Sequence, residues 1–400
     1  MEPSATFLIS VEVPFTELFL SLAVVLPTED PNQTSVIPTP AIQLFLGKPE
    51  DVMQRLVNIN QSCTVVNCPS QFFDCPKSVN HYSPSPQYDE LLELVHQGLE
   101  AGVRPTLCSE GIGGTYFLKS PSGETLGVYK PRDEEPGAIN NPKSGMVPER
   151  SLPGDVPAET GYLRELAAYV LDKSFAGVPL TGLASLKFPE DELKGPSSPS
   201  LDNHVLRGSK FGSLQQFVPH LCNSDELGSG LFPVDNVHKI ALLDVRVMNT
   251  DRHGGNMLVV KDKEAHNLVP IDHAFCLPES MSKPVWFEWM GWSQTKQPLS
   301  EVCKQYIRDL SADEDCKLLA GLGLTANARK SLRIGTLLLK LAVKHDLTMY
   351  DVGSFICSTG DEPSQLELLV EELHVYSKSG DDSLPSEFAD RLESCLVKSN

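Results

Sequence analysis

Basic residues are scarce in this sequence. Its 400 residues include 33 Lys and Arg against 53 Asp and Glu, a formal net charge of −20, and no basic residue precedes Lys48. Because nucleic acids are bound by basic surfaces, we expect no nucleic-acid partner. The same deficit argues against steady electrostatic attachment of the whole protein to an anionic membrane.

Long apolar runs are also missing. The one apolar stretch near the start, residues 7–26, is interrupted by Glu12, Pro14 and Glu17. A secretory signal needs a basic start and an unbroken apolar run, and a membrane-spanning helix needs about 20 apolar residues. We therefore expect neither a signal peptide nor a transmembrane segment.

Cysteines are present, but they lack paired spacing. Ten are scattered from Cys63 to Cys395. The set Cys63, Cys68, Cys75 and His81 matches no zinc-binding spacing, which disfavours a zinc site there. Unpaired cysteines are typical of thiols in a reducing compartment, and this predicts a cytoplasmic protein.

The character of the chain changes along its length. Hydrophobic residues make up 40% and charged residues 22%, which is typical of folded domains rather than of wholesale disorder. We expect a poorly diagnosable extension at 1–87, a β-rich part at 88–218, a larger helical part at 219–375 and a frayed acidic tail at 376–400. Apolar periodicity predicts helices at 162–173, 234–247, 299–310 and 326–345. This order predicts a bilobal α+β enzyme with a cleft between the lobes.

A glycine-rich turn lies between two predicted strands, in Glu110-Gly-Ile-Gly-Gly-Thr-Tyr-Phe117. Because glycine lacks a Cβ, backbone N–H groups in such a turn can approach phosphate oxygens. The pattern departs from G-x-G-x-x-G, since Tyr116 occupies the place of the third glycine, and an ordinary turn is the alternative. The candidate phosphate-binding residues are Gly111, Ile112, Gly113, Gly114, Thr115, Tyr116 and Phe117.

Lys130 ends the strand that returns from the next hairpin. A lysine there, across the sheet from the glycine turn, can reach nucleotide phosphates, although an ordinary surface lysine is the alternative. Such a lysine needs a carboxylate partner. The following helix offers Glu165, with Glu159 as the nearest rival. Glu165 lies off the apolar stripe of its helix, so it faces either the cleft or water.

The most specific pattern is Asn249-Thr-Asp-Arg-His-Gly-Gly-Asn256. An Asp followed five positions later by an Asn is the D-x-x-x-x-N arrangement of a kinase catalytic loop. Asp251 would accept the proton of the attacking hydroxyl, and Asn256 would bind Mg²⁺. Arg252 and His253 lie between them as further catalytic candidates. The His could act as a base or hydrogen-bond a transferring phosphate.

An acidic residue follows an apolar strand in Val269-Pro-Ile-Asp272, sixteen residues after Asn256. A kinase holds its main metal-ligating Asp at this place. Together with Lys130 and Asp251 in this order, the two metal ligands predict phosphoryl transfer from a nucleotide on a bilobal kinase-like fold. The expected cofactors are ATP and Mg²⁺.

An adenine-binding hinge is expected between the lobes, at residues 212–218. The candidates are Gln215, Gln216, Phe217 and Val218, with backbone groups of Gln216 and Val218 as the expected adenine contacts. A plain linker strand is the alternative.

Several motifs together resemble the phosphatidylinositol 3-/4-kinase superfamily, most closely the plant-type gamma phosphatidylinositol 4-kinases, which are relatives of the type II enzymes. The motifs are Gly113-Gly-Thr-Tyr-Phe-Leu118, Tyr129-Lys-Pro-Arg-Asp-Glu-Glu-Pro136, Leu163-Arg-Glu-Leu-Ala-Ala-Tyr169, residues 212–218, Asn249–Asn256 and Phe287-Glu-Trp289. The resemblance covers residues 88–375. It implies ATP-dependent phosphorylation of the inositol 4-hydroxyl of phosphatidylinositol.

The resemblance also implies roles at matching positions. Lys130 would bind ATP, Asp251 would act in the catalytic loop, Asp272 would hold Mg²⁺ and residues 215–218 would form the hinge. The turn of Glu135, Pro136 and Gly137 would contact the substrate.

Two departures from the family are visible. Residues 131–165 contain no cysteine, where type II relatives carry a palmitoylated cysteine-rich stretch. This puts stable lipid anchoring through that loop in doubt. Residues 1–87 show no match to the ubiquitin-like domains of many gamma-type members.

The three tryptophans fall within seven residues, at Trp286, Trp289 and Trp292, between Lys283 and Lys296. Aromatic rings beside lysines suit a peripheral contact with a phosphatidylinositol-containing membrane. The alternative is that they pack inside the helical lobe. Residues 329–344 hold five basic and no acidic residues, which makes a transient visit to an anionic membrane compatible with the sequence.

Two rival functions stay open. A Ser/Thr protein kinase would share the residues that transfer phosphate and differ only in the acceptor. A non-catalytic scaffold would keep the fold alone, and the presence of Lys130, Asp251, Asn256 and Asp272 argues against it.

Overall fold

The computed structural model divides the chain into two compact units, Met1–Phe72 and Phe73–Asn400. It describes the backbone of residues 6–12, 19–27 and 34–37, and it describes fully residues 84–143, 155–187, 209–262, 265–282, 285–358, 362–376 and 380–398. The cysteine and histidine set between residues 63 and 81 lies outside the described residues.

The first unit contains a three-stranded antiparallel sheet in the order β1-β2-β3. Strand β1 (Thr6–Glu12) pairs with β2 (Phe19–Pro27), which pairs with β3 (Thr34–Ile37). The apolar stretch of the sequence therefore forms two strands, with its interrupting proline between them. In the described part of the chain, no helix combines the length and the apolar character needed to span a bilayer.

The second unit begins with the predicted β-rich part, a five-stranded antiparallel sheet in the order β4-β5-β6-β8-β7. Helix α1 (Pro86–Glu100) packs on this sheet through Tyr88, Leu91 and Val95, which share a small core with Leu118 and Leu214 of the strands. The strands are β4 (Thr106–Leu107), β5 (Tyr116–Lys119), β6 (Thr125–Pro131), β7 (Thr181–Lys187) and β8 (Ser209–Gln216).

The remainder is mainly helical, as predicted. A small sheet of β9 (Cys222–Asn223), β10 (Met257–Asp262) and β11 (Ala265–Pro270) interrupts it. The four predicted helices are α2 (Gly161–Asp172), α3 (Val234–Arg246), α4 (Glu301–Asp309) and α6 (Ala326–Lys344). The others are α5 (Ala312–Gly321), α7 (Met349–Ile356), α8 (Gln365–Glu372) and α9 (Phe388–Lys398).

The large core joins α2 to the helical part, and α3 lies at its centre. A Cβ on Gly335 of α6 would lie 2.3 Å from the carbonyl oxygen of Val245, so only glycine permits this approach of α6 to α3. The expectation of a frayed tail is wrong for α9, because Phe388, Leu392 and Leu396 are buried. These apolar residues at helical spacing outweigh the acidic composition of the tail.

The basic stretch of α6 does not form an exposed basic face. Arg329 and Arg333 both contact Asp382, at 2.6 Å and 3.3 Å. Lys330 is buried and donates to the carbonyl oxygen of Val375 at 2.9 Å. These three of the five basic side chains of this stretch are therefore paired within the protein rather than available to a membrane.

Candidate active site

Lys130 lies between two carboxylates at the end of β6. Its Nζ is 2.5 Å from Glu165 Oε1 on α2 and 2.8 Å from Asp272 Oδ1 beyond β11. Burial lowers the pKa of Lys130, but the charges of Asp272 and Glu165 outweigh burial and raise that pKa above its ordinary value. Glu159 instead pairs with Arg132, at 2.9 Å and half-exposed. The structure thus selects Glu165 over its rival.

Glu165 also holds the segment that follows Asp272. Its Oε2 accepts the backbone N–H of His273 at 3.0 Å, so one carboxylate contacts both the lysine strand and the loop of Asp272. The side chain is only 3% exposed. Burial raises the pKa of Glu165, but Lys130 outweighs this effect and lowers the pKa below its ordinary value. Glu165 therefore does not face water but is a buried, ionised partner of Lys130.

The catalytic loop is held in shape by its own hydrogen bonds. Asn249 Oδ1 accepts the N–H of Asp251 at 3.0 Å, and Asn256 Nδ2 donates to the carbonyl oxygen of Asp251 at 2.9 Å. In a side-chain amide only the oxygen can bind a metal, and the hydrogen bond from Nδ2 fixes the orientation of Asn256 Oδ1. Burial, and then the charge of Asp272, raise the pKa of Asp251 to about 6. A carboxylate with such a pKa suits a general base near neutral pH.

Asp272 and Asn256 are brought together at the base of the β10–β11 hairpin. The N–H of Ile271 donates to the carbonyl oxygen of Asn256 at 3.0 Å. Asp272 has a φ of +55°, a left-handed conformation that costs energy in a residue other than glycine and recurs at functional sites. Its side chain is 40% exposed and can reach a ligand in the cleft.

The donor set in this cleft suits Mg²⁺. Within the described residues, no group of three or more His, Cys, Asp or Glu side chains could hold a metal. Asp272 and Asn256 offer one carboxylate and one amide oxygen. Mg²⁺ binds through one or two carboxylates and completes its shell with phosphate oxygens and water, so this small donor set fits a nucleotide-bound Mg²⁺.

The glycine turn rests on the segment that follows β6. The N–H of Gly114 donates to the carbonyl oxygen of Glu134 at 2.8 Å, and a Cβ on Gly114 would lie 2.2 Å from Glu134 Oε2. Gly111 has a φ of +72°, and Lys143 Nζ donates to its carbonyl oxygen at 3.1 Å. Tyr116 is buried in the sheet and donates its hydroxyl to Glu134 Oε2 at 2.7 Å. We therefore correct its role from phosphate contact to support of the turn.

The other turn residues have separate neighbours. The carbonyl oxygen of Ile112 accepts a hydrogen bond from Asn141 Nδ2 at 3.0 Å, and that of Thr115 accepts one from the backbone N–H of Cys108 at 2.7 Å. A Cβ on Gly113 would lie 3.0 Å from Pro136 Cδ. The rings of Phe117 and Phe217 pack edge to face, with their centroids 6.0 Å apart. The last contact places the strand that follows the turn beside the predicted hinge.

The predicted hinge continues directly from β8, in which Gln215 and Gln216 lie. The N–H groups of Gln216 and Phe217 donate to carbonyl oxygens of neighbouring segments, both at 2.8 Å, and do not remain for a nucleotide. The N–H of Val218 has no hydrogen-bond partner within the described residues. Of these three N–H groups, that of Val218 is therefore the one available to an adenine.

Sequence comparison agrees with this geometry. A model of the family described as phosphatidylinositol 3- and 4-kinase matches residues 111–352, more than half of the 400 residues. The chain belongs to this family. The match spans the glycine turn, Lys130, the catalytic loop and Asp272, so the resemblance seen in the motifs is confirmed. Membership in this kinase family implies ATP as the phosphate donor.

Several curated plant proteins are similar to this kinase-family chain. Phosphatidylinositol 4-kinase gamma 4 of Oryza sativa subsp. japonica is 40% identical over 296 residues, covering 72% of this chain and 51% of that protein. Phosphatidylinositol 4-kinase gamma 4 of Arabidopsis thaliana is 40% identical over 304 residues, covering 71% and 52%. Phosphatidylinositol 4-kinase gamma 3 of Arabidopsis thaliana is 36% identical over 326 residues, covering 76% and 56%. The chain thus spans about half the length of the curated relatives it matches.

In this family member, Arg252 does not reach the cleft. It is buried, and its Nε donates to both carboxylate oxygens of Asp244, at 2.9 Å and 3.0 Å. Its Nη1 donates to the carbonyl oxygens of Asn256 and Ile271, at 2.5 Å and 2.9 Å, and its Nη2 to His273 Nε2 at 3.0 Å. The expected direct catalytic role is therefore corrected. The guanidinium connects the loop of Asp251 and Asn256 to the loop of Asp272.

His253 is exposed, and its Nδ1 accepts the N–H of Gly255 at 3.1 Å. A backbone N–H can only donate, so Nδ1 is the unprotonated nitrogen and the proton of the neutral ring lies on Nε2. Of the two roles left open by the sequence, donation of a hydrogen bond to a transferring phosphate fits this tautomer. Proton abstraction by Nε2 does not.

The turn implied to contact the substrate is largely directed inward. Glu135 is buried, and its carboxylate oxygens accept the N–H groups of Gly161 and Tyr162, at 2.8 Å and 2.7 Å. Pro136 is half-buried, and Gly137 is exposed with a φ of +84°. Glu135 is thus engaged at the start of α2 rather than open to a substrate, and Gly137 alone stands exposed.

The structural roles of two buried charged residues were not predicted from the sequence. Asp244 on α3 receives Arg252 and also the indole N–H of Trp289, at 3.0 Å. Arg164 on α2 donates to the carbonyl oxygen of Cys276 at 2.9 Å and so ties α2 to the segment beyond Asp272. Both residues stand on the buried side of an amphipathic helix. Since buried charges are rare unless paired, that position is the signal that could have revealed them.

The three tryptophans do not share one surface. Trp289 is 0% and Trp292 7% exposed, and Trp289 stacks on Phe287 with the ring centroids 4.7 Å apart. Trp286 is 55% exposed. The packing alternative therefore holds for two tryptophans, and membrane contact stays open for Trp286. Lys283 lies outside the described residues.

Proposed function

We propose that this chain is a phosphatidylinositol 4-kinase, which transfers the γ-phosphate of ATP to the 4-hydroxyl of phosphatidylinositol in the presence of Mg²⁺. The observation that carries the proposal is Lys130 held between Glu165 and Asp272 in a member of this kinase family. The printed names of the plant relatives support the choice of lipid and of hydroxyl.

Asp251 is the general base in this proposal. It accepts the proton of the 4-hydroxyl while that oxygen bonds to the γ-phosphorus and ADP leaves. A pKa of about 6 keeps it mostly deprotonated at neutral pH, and its proton affinity is higher than that of an ordinary Asp. His253 donates its Nε2 proton in a hydrogen bond to the transferring phosphate.

The nucleotide is oriented by groups on both sides of the cleft. Lys130 contributes positive charge to the phosphates, and the N–H of Val218 contacts the adenine. Asn256 and Asp272 would hold Mg²⁺, which neutralises negative charge on the phosphates when bound. The glycine turn lets backbone N–H groups approach the same phosphates.

Trp286 is the proposed peripheral contact of an otherwise cytoplasmic protein with the membrane that contains its substrate. An exposed indole favours the headgroup level of a bilayer. The N–H of Glu288 donates to the carbonyl oxygen of Arg252 at 2.9 Å. Trp286 is therefore close along the chain to a direct contact with the catalytic loop, where a membrane lipid must arrive.

Labelling with radioactive ATP tests the acceptor. Purified protein is incubated with Mg²⁺ and labelled ATP, either with vesicles containing phosphatidylinositol or with a panel of proteins, and Asp251→Asn serves as the inactive control. We expect label in the lipid, and chromatography of the deacylated product should identify the 4-phosphate.

Two other results would favour the rival functions. Label in protein with none in lipid would indicate a Ser/Thr protein kinase. No label together with no thermal stabilisation by Mg²⁺ and ATP would indicate a non-catalytic scaffold.

A further inference from the structure

Helix α2, which carries Glu165, has no local cap at its N-terminus. The preceding Thr160 makes no side-chain capping bond. Its hydroxyl donates instead to the carbonyl oxygen of Pro157 and receives Arg164 Nη1, both at 2.5 Å. The first N–H groups of a helix have no intrahelical acceptor, so they need one from elsewhere.

Glu135 supplies this acceptor from a distant part of the chain. Its two carboxylate oxygens receive the N–H groups of Gly161 and Tyr162, at 2.8 Å and 2.7 Å. A negative charge at a helix N-terminus is favoured by the helix dipole as well as by these bonds. A Cβ on Gly161 would lie 3.1 Å from Glu135 Oε2 and 3.1 Å from Ala274 Cβ, so a larger residue would crowd the contact.

The cap formed by Glu135 and the ion pair between Lys130 and Glu165 are linked by two short segments of the chain. Lys130 is joined to Glu135 through the short 3₁₀ turn Arg132–Glu134. Glu165 lies four residues after Gly161, about one turn along α2. A shift of the helix that broke the cap would therefore also move Glu165 away from Lys130.

Glu135 remains buried although burial disfavours its charge. Burial has the largest effect on its pKa and raises it, whereas the bonds from Gly161 and Tyr162 and the charge of Arg164 lower it. With a further rise from the charge of Glu165, the net pKa is about 7. Burying an ionised carboxylate costs free energy, so such a residue is expected only where it makes a specific contact, here the cap on α2.

We propose that Glu135 is a positioning residue for phosphoryl transfer, because its cap on α2 places Glu165 where it holds Lys130 for ATP. This inference rests on the proposed function for the identity of the nucleotide. It also replaces the substrate contact that the resemblance implied for the same residue.

Three variants of the full chain test the inference. Glu135→Ala removes both acceptors, and Glu135→Gln keeps the size but replaces one acceptor oxygen by an NH₂ donor. Glu159→Gln is the matched control, because this carboxylate also lies just before α2 but pairs with Arg132 at the surface.

Kinetics separate positioning from substrate contact. Since small displacements in a catalytic site cost about 10- to 100-fold, we expect Glu135→Ala to lower kcat/KM for ATP by that factor. Glu135→Gln should show a smaller loss and Glu159→Gln none, with the KM for phosphatidylinositol in vesicles unchanged. A rise in the lipid KM alone would support the substrate contact and overturn the inference.

Hydrogen exchange gives a direct view of the helix. Amides of residues 161–166 should exchange faster in the Glu135 variants than in Glu159→Gln, while those of α1 are unchanged. Equal exchange in all three variants would overturn the cap. If Glu135→Ala fails to fold, Glu135→Gln decides the matter by the same measurements.

Binding of Mg²⁺ and ATP without lipid separates this inference from the proposed function. Weaker binding by the Glu135 variants, in a protein that labels no lipid, would leave the positioning role standing and remove the lipid-kinase assignment. Binding as tight as that of Glu159→Gln would overturn the positioning role whatever the acceptor. No binding by the unmodified protein would overturn both.

Discussion

The indole Nε1 of Trp289 donates a hydrogen bond of 3.0 Å to the buried carboxylate of Asp244. The same carboxylate binds Arg252, which in turn holds the carbonyl oxygens of Asn256 and Ile271. The loops of Asp251 and Asp272 are thus joined to α3 and to the segment of the tryptophans through one acidic residue.

Asp244→Asn should leave the guanidinium of Arg252 buried without a counter-charge. Breaking a buried ion pair in this way costs about 3–5 kcal/mol, so we expect a fall of that size in the unfolding free energy and a loss of activity. Chemical denaturation measures the first and the lipid-labelling assay the second. Asp235→Asn, in the exposed first turn of the same helix, should change stability by less than about 0.5 kcal/mol. Equal stability of the two variants would mean that other groups neutralise Arg252.

Lys130→Met should lower kcat by about 100- to 1000-fold, which is the usual effect of removing one preorganised electrostatic group from a transition state. The physical reason is that, among the described residues, Lys130 is the cation that pairs with both Glu165 and Asp272. Steady-state kinetics with Mg²⁺ and ATP provide the measurement. Lys119→Met, on the neighbouring strand β5, should retain the activity. Comparable rates for the two variants would contradict the assignment of Lys130 to the phosphates.

Activity should fall as the pH drops through about 6, because protonated Asp251 cannot accept the proton of the hydroxyl. Its pKa in the folded protein is raised, so the inactive protonated form persists to a higher pH than it would for an exposed Asp. The profile of kcat/KM against pH measures this limb. A profile that stays flat down to pH 5 would argue against Asp251 as the base.

Trp289→Ala should affect the stability of the protein, and Trp286→Ala should affect its binding to membranes. Trp289 is fully buried, so its truncation should lower the unfolding free energy by about 3–5 kcal/mol. Trp286→Ala should change stability by less than about 0.5 kcal/mol, since the side chain is exposed, but should weaken binding to phosphatidylinositol vesicles. Denaturation and vesicle co-sedimentation measure the two effects. Unchanged co-sedimentation of Trp286→Ala would place the membrane contact elsewhere.

Much of the fold follows from local patterns. Helices α2, α3, α4 and α6 were predictable because apolar residues at helical spacing bury one face whatever the partner is. Helix α9 was missed, since three apolar residues stand in an acidic segment whose composition suggested a solvated tail. Its Phe388, Leu392 and Leu396 nevertheless have the spacing of a buried stripe.

Side-chain direction was much less predictable. Arg252 lies between Asp251 and His253 in the sequence, yet its guanidinium points away from the cleft to Asp244. Three adjacent residues can have three different environments, because a loop has no repeating period from which to infer a face. The tryptophans show the same limit, with only Trp286 exposed.

The sequence by itself determined the order of the chemical groups: a glycine turn, a strand lysine, an Asp and Asn five residues apart, and an acid after an apolar strand. These groups are encoded by residue type and spacing, which do not depend on distant contacts. Only the tertiary structure decided that Glu165 and not Glu159 holds Lys130, and that Glu135 caps α2. Both choices depend on how α2 is rotated and placed against the sheet, and that placement is set by packing between segments far apart in the chain.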